Sequence, residues 1–307
     1  MDLTKIFKSN RELINAFSTE QECIEFLEHF RWNGVPVSPY DANSKVYKCK
    51  GNRYKCKNTG RDFNVKTGTL FENSKIGLPR WFEAIRYITS FKKGISSCQL
   101  AKEINVTQKT AWFMFHRIRK CFCIETEQLG YENPVEMDET YIGGKHKNRH
   151  KNPQEKGFQG RSTKHKTPVW GAVERKGKVI ARVVPNTQKY TLMPHIEENI
   201  KEDCYVMTDE WGAYKWLYQN YIHYVIKHKE KQWVDGKVHT NTIEGFWSFM
   251  KRGLLGTYHL TIKKKHLQKY VDEFVFRYNT RKQKEHDRFI LFFANMQNRL
   301  RYKELIA

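Results

Sequence analysis

Three acids and a lysine are placed where metal-assisted phosphate chemistry could use them. Asp138 lies in the strand-like run Val135–Ile142, Asp209 ends a second such run, Tyr205–Asp209, and Glu244 opens a helical segment. Breaking or joining a phosphodiester commonly uses two divalent ions, which activate the attacking oxygen and stabilise the departing one. Such ions take hard oxygen ligands, chiefly carboxylates. On the helical segment, Ile243, Trp247, Met250 and Leu254 fall on one stripe expected to be buried. Glu244, Ser248 and Lys251 are left on a neighbouring face. Nearly two turns separate Glu244 from Lys251, so they align ~10 Å apart along the axis, which suits an ion ligand and a phosphate contact. Asn241-Thr242-Ile243-Glu244 also has the shape of a capping box, with Asn241 as cap and Glu244 bonding back. Glu136 and Glu139 read as strand-flanking acids, and His239 as a hydrogen-bonded structural histidine.

The elements that must position these residues are strands with interleaved helices, which indicates an α/β domain. Strands are expected at 135–142, 169–173, 179–184, 205–209 and 223–228, with helices at 191–200 and near 212–218 and a mostly helical remainder. A basic loop runs from Gly143 to Pro168, dense in lysine and arginine, with Glu155 its one acid.

Upstream, Thr19 to Glu22 is a capping-box pattern opening an amphipathic helix that carries Cys23, Phe26, Leu27 and Phe30 on one stripe. Val46–Cys49 and Arg53–Cys56 flank Gly51-Asn52, a hairpin with a tight turn. That register places Tyr47, Cys49, Tyr54 and Cys56 on one face. Lys48, Lys50, Arg53, Lys55 and Lys57 crowd the other, either as a phosphate platform or as a solvated edge kept soluble by lysines. From Pro79 the pattern turns helical, with Trp81, Ile85 and Ile88 in a stripe. Ser96 or Ser97 then caps a short helix, Asn105-Val106 turns, and Thr107 caps a second helix from Gln108. In a helix-turn-helix the second helix enters the major groove. Gln108, Lys109 and Trp112 would face the bases, with Arg117, Arg119 and Lys120 nearer the phosphates. A plain helix pair is the competing reading.

The 307 residues carry 55 Lys+Arg against 33 Asp+Glu, a net charge of +22, and such a charge points to a polyanionic partner. Nucleic acid is the commonest, because each neutralised phosphate releases a counterion. A hydrophobic share of 39% is enough for real cores and argues against a wholly disordered basic chain. The amino end lacks a secretory pattern, and the apolar run from Phe289 to Met296 is too short to span a bilayer. Seven scattered cysteines suit a reducing interior. The expectation is a soluble intracellular protein that works on DNA, without a membrane partner.

The strings from Val135 to Lys145, Thr208 to Tyr214 and His239 to Trp247 resemble those of Merlin-type DDE transposases and the bacterial insertion-sequence transposases akin to them. The order of the acids, the interval between the last two, and the lysine after the glutamate match that pattern, from about Thr19 to Arg281. The resemblance implies an α/β RNase H-like catalytic domain at 129–282. Before it would come an N-terminal helix with a β-rich degenerate zinc-ribbon-like module at 1–76 and an all-α helix-turn-helix module at 77–128, and after it a helical tail at 283–307. It implies that Asp138, Asp209 and Glu244 bind two Mg²⁺ or Mn²⁺ ions for cutting and joining double-stranded DNA at element ends and target. Asn241 stands as a second candidate for the third ligand, since some relatives use asparagine there. Lys251, with Tyr258 and His259, would hold the DNA end. Relatives often carry a zinc ribbon of two C-x-x-C knuckles. Here the corresponding positions read Ser38-Pro39-Tyr40-Asp41 and Cys56-Lys57-Asn58-Thr59, so no structural zinc is expected. Holding two ends together implies a homodimer or larger assembly on DNA. The competing functions are a domesticated, catalytically silent DNA-binding protein and a related metal-dependent nuclease.

Overall fold

The computed structural model describes residues 7–122, 127–144, 166–226, 236, 238–259 and 262–306. Most of the expected basic loop, 145–165, lies outside the described residues, as does the end of the strand expected at 223–228. The chain divides into two units, one of residues 1–123 with 282–307 and one of residues 124–281.

The first unit opens with α1 (Asn10–Ala16) and α2 (Glu20–Trp32). Thr19 and Glu22 make both bonds of the capping box that starts α2. A three-stranded antiparallel sheet follows in the order β1 (Val46–Cys49), β2 (Arg53–Cys56), β3 (Asp62–Phe63). The hairpin is present, but its register is displaced from the expected one. Cys49 pairs with Arg53 and Val46 with Cys56, so the loop is three residues, with Gly51 at φ 71 and Asn52 at φ 55. A slip of one residue exchanges the faces. Lys48 therefore shares a face with Tyr54 and lines a cleft beside Glu25, Glu28 and Trp32, off the expected cationic face. Tyr47 turns outward and is 44% exposed. Tyr54 and Phe63 stack at 5.7 Å, with Trp32 edge-on to both.

Hydroxyl and amide hydrogen bonds tie the two cysteine-poor turns together. Ser38 Oγ accepts from the backbone N–H groups of Tyr40 and Asp41, Ser44 Oγ accepts from that of Asn58, and the Asn58 side chain donates to Asp41 at 2.7 Å. Burial pushes the Cys56 thiol up, but hydrogen bonds to Ser38, Ser44 and Thr59 outweigh it and bring the thiol to about 6. Structural zinc needs a closed set of nitrogen and sulfur ligands, which these residues do not supply. Metal analysis of the purified chain is expected to find well under one zinc per molecule, and a chelator to leave its melting temperature unchanged. One tightly held zinc would overturn this.

Three helices complete this part: α3 (Leu78–Ser90), α4 (Ser97–Glu103) and α5 (Gln108–Lys120). Ser96 caps α4 and Thr107 caps α5 through their hydroxyls. The connection between them includes Asn105 at φ 50, a conformation asparagine tolerates.

The second unit is built on a five-stranded sheet of β4 (Val135–Ile142), β5 (Thr167–Glu174), β6 (Val179–Val183), β7 (Tyr205–Asp209) and β8 (Ile222–Ile226). Its spatial order is β6-β5-β4-β7-β8. The first three strands form an antiparallel meander, and β7 and β8 add parallel to β4. Strand alternation gives the sheet two apolar faces. Val135, Met137, Trp170 and Ala172 pack with Leu192 and Ile196 of α6 (Lys189–Asn199). Val169, Val173 and Ala181 pack with Ile243, Phe246, Trp247 and Phe274 of α7 (Asn241–Gly256) and α8 (Leu267–Asn279). In place of the helix expected near 212–218 there are two single 3₁₀ turns, Gly212–Tyr214 and Leu217–Gln219.

The carboxyl-terminal helices α9 (Glu285–Phe293) and α10 (Tyr302–Ile306) belong to the first unit. Phe289 and Phe293 lie 5.9 and 5.2 Å from Phe82 of α3, and Glu285 pairs with the buried Arg86. Among the described residues no helix is long and apolar enough to cross a membrane.

Candidate active site

Strand register decides where the acids go. Glu136 of β4 sits opposite Met207 of the parallel β7. Two residues further along each strand come Asp138 and Asp209, past the last pair of this ladder. On its other side Asp138 pairs with Gly171 of β5. The α7 helix crosses the face that carries Glu136 and Asp138 and brings Glu244 and Lys251 with it. Asp138, Asp209, Glu244 and Lys251 line one open cavity of about 670 Å³, together with Thr140, Thr240, Trp247, Ser248 and Arg252.

The α7 helix is not started as its sequence suggests. Thr240, rather than Asn241, is its N-cap residue, and it makes no side-chain cap bond. The first amides bond instead to a carboxylate from another element: Glu136 Oε2 accepts from the N–H groups of Thr242 at 2.7 Å and Ile243 at 3.1 Å. Its other oxygen accepts from the Thr242 hydroxyl and from Arg175 Nε, with His239 Nδ1 3.2 Å away. Helix N-termini leave orphan N–H groups and carry partial positive charge, so a buried anion there satisfies both. Glu136 is fully buried and is the anchor of α7, a role its reading as a strand-flanking acid missed. Glu244 is thereby free of the capping task and, among the described residues, accepts a weak bond from Thr240 Oγ1 at 3.2 Å. Glu139, the other flanking acid, accepts from the hydroxyl of the buried Tyr214.

Asp138 has its carboxyl raised to about 7, by burial first, then by Asp209, with a lesser push from Glu244. Two bonds work against that rise, one from the backbone of Glu139 and one from the indole of Trp247, whose Nε1 donates to Oδ2 at 3.1 Å. Asp209 Oδ1 accepts from the Trp211 backbone N–H. A carboxyl whose ionisation is made costly by burial and by neighbouring acids is the electrostatic counterpart of a cation site. Its all-oxygen donors suit Mg²⁺ or Mn²⁺. Among the described residues no three His, Cys, Asp or Glu side chains stand close enough to share one ion, so the acids form the walls of the cavity rather than a closed cage.

The remaining sequence-named residues lie elsewhere. Asn241 is exposed at the first position of α7 and does not line the cavity. Tyr258 is withdrawn from any surface role, because its hydroxyl donates to the buried Glu273 at 2.6 Å. His259 is exposed, at φ 55. In the first unit Lys109 is exposed, Trp112 is half-buried with its ring 4.3 Å from His116, and Gln108 donates to Ser97 at 2.8 Å. Arg117 is corrected: it is buried, donates to the carbonyl of Glu72 at 2.7 Å, and packs over Trp81 and Phe113. Lys50 and Arg53 are exposed, and Arg53 reaches Asp62 at 3.9 Å. Sequence reasoning placed Trp247 in the core stripe and did not foresee its bond to Asp138. It also missed Arg252, although its position beside Lys251 was a usable signal.

Comparison with known proteins gives a consistent result. The family model described as "ISXO2-like transposase domain" matches residues 130–279, which contain all three acids and Lys251. A protein from Halobacterium salinarum, "Uncharacterized protein in transposable element ISH50", is 30% identical over 280 residues, covering 86% of this chain and 92% of the relative. An "Uncharacterized transposase-like protein" of Haemophilus influenzae is 35% identical over 109 residues, 34% of this chain and 83% of the relative. Among solved structures, a chain of a pre-cleavage Mos1 transpososome aligns over 93% of this chain and 96% of its own length. Its identity is 12% and its TM-score 0.22.

Proposed function

The chain belongs to the ISXO2-like transposase family, and from that premise we propose that it binds the terminal inverted repeats of a mobile element and performs metal-dependent DNA cleavage and strand transfer. The observation that carries this reading is the meeting of Asp138, Asp209, Glu244 and Lys251 in one cavity. The sheet order β6-β5-β4-β7-β8, with its antiparallel meander and parallel extension, supports reading this unit as an RNase H-like core. When bound at these carboxylates, two Mg²⁺ or Mn²⁺ ions would supply Lewis acidity to the attacking and departing oxygens of the phosphodiester. The protein's own groups do the rest. Lys251 and Arg252 meet the phosphates at the cavity wall, and Glu136 holds the helix that carries Glu244 and Lys251.

The test is incubation of DNA carrying the element ends with the full chain and Mg²⁺. Nicking at the ends, followed by joining of precut ends to target DNA, is the expected result. Nicking without joining would make the protein a nuclease. Binding without nicking would make it a DNA-binding protein of the same family.

In the first unit, α4 and α5 are read as a helix-turn-helix whose exposed amino-terminal residues, Lys109 above all, face the duplex. Each phosphate neutralised contributes about 0.9 to the slope of log affinity against log salt. Lys109→Ala is therefore expected to weaken binding of end DNA several-fold and to flatten that slope by about one. Arg117→Ala should leave the slope unchanged and lower the melting temperature instead, because its guanidinium is buried against Glu72 and two rings. Binding isotherms at three salt concentrations separate the two outcomes.

A further inference from the structure

We propose that Trp247 is a positioning residue for Asp138: the indole N–H fixes the plane of the carboxylate, and Gly171 exists as the notch that lets the ring reach it. The inference rests on the proposed metal-dependent site and deepens it. Three observations converge.

The first is the bond itself. Trp247 Nε1 donates to Asp138 Oδ2 at 3.1 Å, and both residues line the cavity. Indole nitrogen is a donor only, so the contact selects the carboxylate orientation that offers it an oxygen. The backbone of Glu139 bonds to the same carboxyl, and Asp138 lines the cavity. The second observation is the notch. Gly171 is the direct cross-strand partner of Asp138, and a Cβ built there would stand 2.5 Å from Cη2 and 2.8 Å from Cζ2 of Trp247. No side chain fits between β5 and the ring, so the glycine is required by close approach. The third is helix geometry. Trp247 lies three residues after Glu244 in α7, so one turn of one helix carries both an acid of the site and the clamp on its counterpart across the cavity.

A carboxylate in the company of Asp209 and Glu244 is repelled by both. The indole bond, together with that from the Glu139 backbone, holds it against turning away from its neighbours. The indole resists that turn at the cost of no additional charge. Outer-shell hydrogen bonds of this kind commonly change metal affinity or activity by about 10–100-fold when removed.

The test uses the full-length chain and two variants. Trp247→Phe keeps an aromatic plate over Gly171 and removes only the N–H and part of the ring. Gly171→Ala keeps the N–H and displaces the ring, and it carries the test if the phenylalanine variant fails to fold. Calorimetric titration with Mn²⁺ is expected to show affinity reduced about tenfold or more in either variant. Cleavage of end DNA should fall at limiting Mn²⁺ and recover at high Mn²⁺, a rescue that a merely structural lesion would not show. If the wild type binds Mn²⁺ and cuts while both folded variants match it in affinity and in metal dependence, the positioning role is wrong and the proposed site stands. If the wild type shows no Mn²⁺ binding that Asp138→Asn removes, the reading of the site fails and this inference falls with it.

Discussion

Asp138→Asn is expected to do two opposite things: to reduce end cleavage by roughly 10³-fold or more, and to make the protein more stable above neutral pH. The loss of cutting has the scale seen when one member is removed from a set of groups that act as a unit. Asparagine preserves shape but offers a neutral oxygen where an anion is needed. The proposed DNA binding, assigned to other residues, should survive. The gain in stability follows from the raised Asp138 carboxyl. It titrates near 7 in the folded chain and near 3.9 in an unfolded one. Between about pH 4 and 7 the folded state holds a proton that the unfolded state has released, so stability falls as pH rises through that window. Above it the full cost of burying a charge beside Asp209 and Glu244 is borne. Each pH unit of the window corresponds to about 1.4 kcal/mol, so removing the ionisation should stabilise the protein by up to a few kcal/mol. At about 2–4 °C per kcal/mol, the variant melts several degrees higher at pH 8 and the difference closes toward pH 4. Parallel melting curves at pH 4.5 and pH 8 decide it. A variant that melts below the wild type at pH 8 would show that burial and the neighbouring acids do not penalise the Asp138 charge as its placement requires.

The acids were legible because the chemistry proposed for them constrains residue type and order along the chain, and periodicity alone puts Asp138 and Asp209 on strands. What surrounds them was not. Glu136 reads as one more acid in Val-Glu-Met-Asp-Glu, and only the packing of α7 on that face of β4 turns it into a helix anchor. Asn241 fits a local capping rule that a tertiary contact overrides, since a full carboxylate from β4 outcompetes an amide for the same N–H groups. The hairpin lysines show a different failure. The strands were placed correctly, but a three-residue loop replaces a two-residue one, and with a period of two that single residue moves Lys48 to the opposite face. Arg117 shows a third, because a long cation can run between two rings and bury its head on a carbonyl. The helical pattern does not distinguish that from exposure. The carboxyl-terminal run of phenylalanines was read only as too short for a membrane, whereas Phe289 and Phe293 pack onto a helix about two hundred residues earlier.

Glu136→Ala is expected to be the most destabilising single substitution in the second unit that leaves every cavity acid in place. The side chain is fully buried and receives three hydrogen bonds from the start of α7 and one from Arg175, with His239 beside it. Alanine removes the anion and leaves the positive groups behind. Arg175, largely buried with only 17% of its side chain exposed, loses its carboxylate, and the amides of Thr242 and Ile243 lose their acceptor. Breaking one side of a buried pair costs about 3–5 kcal/mol, which at about 2–4 °C per kcal/mol lowers the melting temperature by about 6–20 °C. Glu136→Gln keeps one acceptor oxygen for the two amides but sets an NH2 group where Arg175 and the Thr242 hydroxyl donate. It loses the ion pair while keeping the helix-start bonds, so its cost should be distinctly smaller. The two variants separate the role of the hydrogen bonds from that of the ion pair. The consequence for the site follows through α7. With its first turn frayed, Glu244 is no longer held opposite Asp138, and Mn²⁺ affinity should fall even under conditions where the protein remains folded. Denaturant melts followed by Mn²⁺ titration at a low temperature measure both effects on one sample. If Glu136→Ala melted within about 2 °C of the wild type, α7 would have to be anchored by its apolar stripe alone. Ile243, Phe246, Trp247 and Met250 would then suffice to aim Glu244 at the cavity.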